Sequence, residues 1–302
     1  EKYRNLLGIC SHELYHTWNV KGIRPDDMLP YDYSKENYSE LGYVAEGVTT
    51  YMGDRMLFES GVFLLDDYFR ELMTLLERHF HNDGRKHYSV AESSFDTWLD
   101  GYVPGVPGRK VSIYVEGALI AFICDAMIRR STDNKSTLHD VMREFYSGGD
   151  EITGYDELLY KKKLEKISGI SFDDVFDDLI HGKVDFFNYL GDAMEVFGWK
   201  IMKRTSIRSS WNYGFKSVLQ NNMYKVINVI ECSSADNSGL IYEDNIHSVN
   251  GFKLENNLEN WLTYFKDDEI ILSVERAGVL KRILLEDVNE FQCWNYKIEK
   301  LI

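Results

Sequence analysis

The stretch His12-Glu13-Leu14-Tyr15-His16 decides how this chain is read. On a helix, two imidazoles four residues apart project from one face, about one turn along the axis. Both then reach a single metal ion, at the ~2.0–2.1 Å that zinc–nitrogen bonds require. Glu13 follows the first histidine, where a carboxylate can face a water beside the metal and serve as general base. Catalytic zinc takes three protein ligands and keeps one position open, so a third ligand is expected further along the chain.

Residues 4 to 18 predict an amphipathic helix carrying this pair, with Leu6, Leu7 and Cys10 at helical spacing to pack it into a core. Gly22 and Pro25 end it, and a polar loop rich in Tyr and Asp follows from Asp26 to about Glu40. From Leu41 to about Phe58 the pattern is helical again and sets Glu46 among apolar neighbours. A carboxylate there is either paired, with Arg55 or another base, or a metal ligand, because a free buried charge is costly. As third ligand it completes a His12, His16, Glu46 site. Glu36, twenty residues past His16, is the second candidate, but it lies in the loop, and Glu46 is preferred.

Residues 63 to 81 predict another amphipathic helix, ending in His79, Phe80 and His81. Histidines two apart on a helix face different ways, so these two are expected at the surface or as caps. A loop with Trp98, Tyr102 and the punctuation Pro104-Gly105-Val106-Pro107-Gly108 leads to an apolar helix from Leu119 to about Arg130. Tyr114, just ahead of that helix, can donate its phenol to a developing oxyanion. The chain has twenty tyrosines, so core and surface roles stay open for it. Further helical segments near 136–146, 155–167 and 171–180 make residues 1–197 mainly helical. From about Gly198, β-branched runs alternate with turns: 225–230, 246–249, 269–274 and 281–285 read as strands. Asn250-Gly251 is a tight hairpin signal, and Leu258 to Phe265 a short helix. Two domains follow, 1–197 and 198–302.

A net charge of −15 argues against a nucleic-acid surface. The longest apolar run, Ala118 to Cys124, stops at Asp125 and is too short to span a bilayer. Hydrophobic content of 44% and charged content of 27% are those of a soluble globular protein. Cys10, Cys124, Cys232 and Cys293 have no CxxC spacing; they are expected as buried thiols or an occasional bridge, not as zinc ligands. They leave the compartment open between cytoplasm and cell envelope. The first residue is Glu1 rather than Met, so an upstream segment is expected to have been removed or left out.

The run His12 to Pro25, His-Glu-x-x-His-x-Trp-Asn-Val-Lys-x-Ile-Arg-Pro, is followed by Ala-Glu-Gly-x-Thr-x-Tyr from Ala45 to Tyr51. Together they resemble the M61 glycyl aminopeptidase family, a group of gluzincin metallopeptidases. The resemblance extends to Ser112–Gly117, similar to a Ser-Tyr-Tyr-x-Lys-Gly segment, and to Ile120–Arg129 followed by Ser136–Met142. It implies a multidomain α+β protein: a mainly helical, thermolysin-like zinc peptidase domain, then a β-rich PDZ-like domain. The β domain that the family carries ahead of the catalytic part is expected to be missing from this stretch of sequence. The resemblance further implies one zinc ion per chain on His12, His16 and Glu46, with Glu13 as general base and Tyr114 stabilising the tetrahedral intermediate. Two positions depart from the family pattern. Gly22 stands where a basic residue is usual, and Glu116 replaces the usual Lys, adding negative charge near Tyr114.

Ser233–Leu240, Asp244-Asn245-Ile246 and Val249-Asn250-Gly251 are similar to the turn-rich run of bacterial PDZ domains, with Ser234 for Pro and Glu243 for Gly. Tyr213-Gly214-Phe215 is the candidate carboxylate-binding loop. The implied partners are peptide substrates and a peptide C-terminus or strand added to the sheet edge. A PDZ fold that only packs on the protease is the other reading. The implied function is zinc-dependent hydrolysis of peptides with small N-terminal residues, Gly or Ala. The alternatives are a non-catalytic peptide-binding protein on a peptidase scaffold, and an endopeptidase that tethers substrates through the PDZ-like domain.

Overall fold

In the computed structural model, residues 2–100, 108–146, 153–206, 208–286 and 293–301 are described; Tyr102 and the expected punctuation at 104–107 lie outside them. Helix α1 (Lys2–Tyr15) comes first, then a short strand β1 (Ile23–Pro25) and an irregular stretch. Tyr43–Val48 winds as a π-helical turn and runs straight into α2 (Thr49–Glu59). Next come α3 (Leu65–Phe80), α4 (Val90–Phe95), α5 (Thr97–Asp100), α6 (Ile113–Ser131) and α7 (Leu138–Phe145). Strand β2 (Thr153–Tyr155) pairs in parallel with β1. It is followed by α8 (Glu157–Ser168), a second π-helical turn (Val175–Ile180) and α9 (Phe187–Val196).

Helix α6 is apolar on every side, and a helix of that kind must be enclosed by others. It is buried from Val115 through Ala126 and anchors a core that includes Tyr43, Met52, Leu76, Leu164 and Leu190. Asp125 sits inside this core at 1% exposure. Its carboxylate accepts from Tyr51 Oη (2.6 Å), Arg129 Nε (2.8 Å) and the Leu138 amide (2.7 Å), so its burial is compensated. Where α6 meets the 43–48 turn, the backbones touch. A Cβ on Gly47 would lie 2.3 Å from Gly117 Cα, and one on Gly117 would lie 2.5 Å from the Tyr43 carbonyl oxygen.

Helix α1 departs from the expected packing. Leu6 is 54% exposed and Cys10 is also exposed, whereas Tyr15 is buried. The helix approaches α2 through small residues instead. Ser11 Oγ donates to the Gly53 carbonyl (2.8 Å), and a Cβ on Gly53 would come within 3.1 Å of the His12 nitrogen. A close approach of this kind needs glycine and serine at the contact, which an apolar-periodicity reading passes over.

The chain divides into two compact units, residues 1–202 with 297–302, and residues 203–296. Strand β3 (Trp199–Thr205) leads into the second unit, which contains α10 (Ser209–Asn212), β4 (Phe215–Gln220), β5 (Met223–Val229), α11 (Ser234–Asn237), β6 (Asn245–Val249), β7 (Phe252–Lys253), α12 (Leu258–Tyr264), β8 (Ile270–Arg276) and β9 (Val279–Leu285). Strand β10 (Trp294–Lys300) pairs with β3, and Ile298 joins Trp199 in the first core. The last residues therefore return to the first unit, which a boundary at 197/198 does not anticipate. The second unit holds an antiparallel sheet in the order β4-β5-β6-β8-β9, with β7 paired to β6. Its core includes Phe215, Val226, Ile246, Leu262, Leu272 and Val274. The β6–β7 hairpin turns at Asn250 (φ +49°) and Gly251 (φ +82°), the double positive φ of a type I′ turn. Among the described residues, Cys10 and Cys232 are exposed thiols rather than buried or bridged ones, whereas Cys124 and Cys293 are buried. No described helix is long and apolar enough to cross a membrane.

Two predictions follow from this packing. Gly47→Ala drives a methyl group into the α6 backbone and is expected to cost about 1–3 kcal/mol in urea denaturation; an unchanged midpoint would show that the two backbones part freely. Asp54 on α2 lies near Glu71, and burial together with that charge pushes its carboxyl up to about 7. The folded chain thus keeps a proton that the unfolded chain releases near ~3.9. This stabilisation is full below about pH 4 and is lost as pH rises through about 7. Asp54→Asn removes that slope. The variant should exceed wild type in urea midpoint at pH 8, and the gain should vanish at pH 4.

Candidate metal centre

Helix α1 presents His12 and His16 from one face, their rings 4.6 Å apart at 89°. The π-helical turn brings Glu46 against both. Oε2 of Glu46 lies 3.2 Å from His12 Nε2 and 3.3 Å from His16 Nε2. A tetrahedron with zinc bonds of ~2.0–2.1 Å has edges of about 3.3 Å, so these separations suit a shared ion. Among the described residues, His12, His16 and Glu46 form the metal-competent group, with ligand atoms within 4.8 Å of one another. Arg55, the other partner considered for Glu46, is instead bonded to Glu59 (2.7 Å). Glu36 is exposed in the loop and takes no part.

The outward nitrogens of both rings are engaged by the chain. His16 Nδ1–H donates to the Asn19 carbonyl (2.9 Å). Thr50 Oγ1 spends its proton on the Glu46 carbonyl (2.8 Å) and faces His12 Nδ1 at 3.4 Å as an acceptor. That network occupies both Nδ1 atoms and leaves both Nε2 atoms facing Glu46, the nitrogens through which the rings would ligate once a cation displaces their Nε2 protons. Burial alone would raise the Glu46 carboxyl, but hydrogen bonds from His12 and His16 outweigh it and hold it at about 2. For His16, burial lowers the imidazole, yet its bonds to Glu46 and the Asn19 carbonyl leave it raised. A negative carboxylate between two imidazoles is a donor set that a divalent cation fits.

Glu13 is exposed on α1, directly after His12. Tyr114 stands in the first turn of α6, its ring centroid 5.9 Å from that of His12. The structure therefore brings His12, His16, Glu46 and Tyr114 together, with Glu13 on the same helix as the two histidines. Glu116 points elsewhere. It is buried, and His79 Nδ1 lies 2.6 Å from its Oε2. His79, expected at the surface or as a cap, is 1% exposed and stacks on Phe186. The charge expected near Tyr114 is thus turned toward α3 and paired there. Sequence reading missed Thr50 and Asn19 as supporting residues of the ligands, and His79 as the partner of Glu116; Asn19 stood inside the quoted run, and Thr50 one helical turn after Glu46.

In the second unit, the Tyr213 and Gly214 amides of the expected carboxylate-binding loop donate to the Ser209 and Trp211 carbonyls (3.1 and 2.9 Å). Phe215 is wholly buried.

Residues 5–120, which contain all five site residues, match the model of the M61 glycyl aminopeptidase family. Over that stretch the chain is similar to the M61 family. Its structure is similar to the crystal structure of an aminopeptidase N family protein from Idiomarina loihiensis, with a TM-score of 0.85 and 26% sequence identity. The match covers 100% of this chain and 54% of that one, so the chain spans about half the length of that protein. Comparison with curated proteins gave no match. At Gly22, where the M61 pattern carries a basic residue, a Cβ would sit 2.7 Å from the Tyr146 ring. Tyr146 thus fills the space in which a longer side chain would begin.

Removing His79 leaves Glu116 buried without its partner. His79→Ala is expected to lose about 3–5 kcal/mol in urea unfolding, and a loss below about 1 kcal/mol would mean that water replaces the imidazole at no cost.

Proposed function

We propose that this chain is a zinc-dependent peptidase, acting as an aminopeptidase on peptides with small N-terminal residues such as Gly or Ala. The observation that carries this reading is the convergence of His12 Nε2, His16 Nε2 and Glu46 Oε2, with both Nδ1 atoms engaged by the chain itself. These three side chains would hold the ion. When bound, zinc supplies Lewis-acid polarisation of the scissile carbonyl and lowers the pKa of a water toward ~7.

Glu13 takes the proton of the attacking water and passes it to the leaving amine. The Tyr114 phenol donates to the carbonyl oxygen as it gains charge. His12 and His16 are held with Nε2 toward Glu46 by Thr50 and Asn19, so no reorganisation is needed when substrate arrives. Exopeptidase action is supported by the family description and by the aminopeptidase name of the similar structure.

The first unit is read as a thermolysin-like catalytic domain and the second as PDZ-like. The latter rests on the antiparallel sheet, helix α12, the Asn250-Gly251 turn and the positive φ (+72°) at Glu243, where the PDZ pattern carries Gly. A peptide held there would add to an end strand of the sheet, because the Tyr213 and Gly214 amides already donate within the chain.

Elemental analysis of the purified protein is expected to find one zinc per chain, lost on chelation together with activity. Digestion of a peptide library, read by mass spectrometry, should show release of single N-terminal Gly or Ala residues. Glu13→Gln should keep its zinc and lose turnover by about 10²–10⁴-fold. Cleavage at internal bonds would instead establish an endopeptidase, and a zinc-free protein that still binds peptides would establish a binding module.

A further inference from the structure

Asn19 lies just past the end of α1, three residues after His16, and is 0% exposed. Its two hydrogen-bonding parts serve different segments. The main-chain carbonyl accepts from His16 Nδ1 (2.9 Å) and so orients that ring. The side-chain amide nitrogen reaches the 43–48 turn, lying 2.9 Å from the Val44 carbonyl oxygen, 3.3 Å from that of Ala45 and 3.1 Å from Thr49 Oγ1. Val44 and Ala45 are the two residues immediately before Glu46.

Resting on the metal-centre reading above, we propose that Asn19 is a positioning residue: it ties the orientation of His16 to the placement of Glu46, and thereby sets the geometry of the ligand group. Three features point the same way. The acceptors it serves are carbonyls, which tolerate only a donor, so a flipped amide would bring oxygen against oxygen. Its own Oδ1 is buried and has no hydrogen-bond partner among the described residues. An unanswered acceptor of that kind costs about 1–3 kcal/mol, so stability alone does not account for an asparagine here. The turn it grips is π-helical, a geometry that depends on outside support and that recurs at functional sites.

Neither His16 nor Glu46 reaches the other through a continuous rigid element. The end of α1 and the 43–48 turn belong to separate stretches of chain, joined by the long irregular segment between them. A single buried amide bridging both is therefore placed to transmit a shift in one to the other. Thr50 does for His12 what the Asn19 carbonyl does for His16, but Thr50 sits on the same helical stretch as Glu46 and anchors α1 through one weaker contact at 3.4 Å.

The test compares zinc affinity by chelator competition with the urea stability of the metal-free protein, for wild type, Asn19→Leu, Asn19→Asp and His79→Ala. The Asn19 variants are expected to lose about 10–100-fold in zinc affinity. His79→Ala, at a residue bonded to Glu116 and packed on Phe80 and Phe186, should lose stability and keep wild-type affinity. Wild-type affinity in a folded Asn19 variant would overturn the proposal. So would an equal loss of affinity in His79→Ala, because the effect would then be one of stability alone. If Asn19→Leu fails to fold, Asn19→Asp, of the same shape but without the donors, carries the comparison. A wild-type chain that binds no zinc at all would remove the metal-centre reading itself, an outcome distinct from unchanged affinity in the variants.

Discussion

The backbone contact between Gly47 and Gly117 is the constraint on which the rest of the first unit depends. Glu46 precedes one of these glycines, and Tyr114 lies one helical turn before the other. With no Cβ on either side, the 43–48 turn and α6 approach to backbone distance, closer than any side-chain packing allows. A contact made by main chain cannot be absorbed by a rotamer change, so the carboxylate and the phenol are placed by stiff elements. The two histidines come from a third direction, on a helix that itself approaches through Gly53 and Ser11. The candidate centre is therefore an intersection of two glycine-lined approaches, and each removes bulk where a chemical group must be brought in.

Buried charge follows a consistent pattern elsewhere in the unit. Asp125 is answered by a phenol, a guanidinium and an amide, and Glu116 by a single imidazole. Glu46 differs, since one oxygen faces two imidazoles at nearly equal distance. Two rings converging on one carboxylate oxygen is more than a lone ion pair needs, and it is what a shared cation would produce.

Much of this was legible in the chain itself. The spacing of His12 and His16 maps directly onto the helical period, and an acid at position 46 amid Val44, Ala45 and Val48 had to be paired or ligating. The Asn250-Gly251 turn and the strands around it were equally plain, because period-two patterns and positive-φ residues act locally. What stayed hidden was set by distant neighbours. Leu6 and Cys10 have core-like spacing, yet the face that packs is the one with small residues, and periodicity weighs apolar bulk rather than its absence. His79 looked like a helix-end residue because its partner Glu116 is 37 positions away. The π-helical widening at 43–48 has no compositional signature, and the return of β10 to the first unit depends on pairing between strands far apart in the chain.

That return has a bearing on how the protein can be dissected. The strand leading out to the second unit and the strand leading back lie side by side, so residues 203–296 form a closed excursion with neighbouring entry and exit. Cutting the chain after Val196 would strip Trp199 and Ile298 from the first core along with the excursion. Excising the excursion and splicing β3 to β10 through a short hairpin would leave both in place. For this topology, one-ended truncation and internal replacement are different operations, and the second is the one that respects the way the polypeptide is threaded.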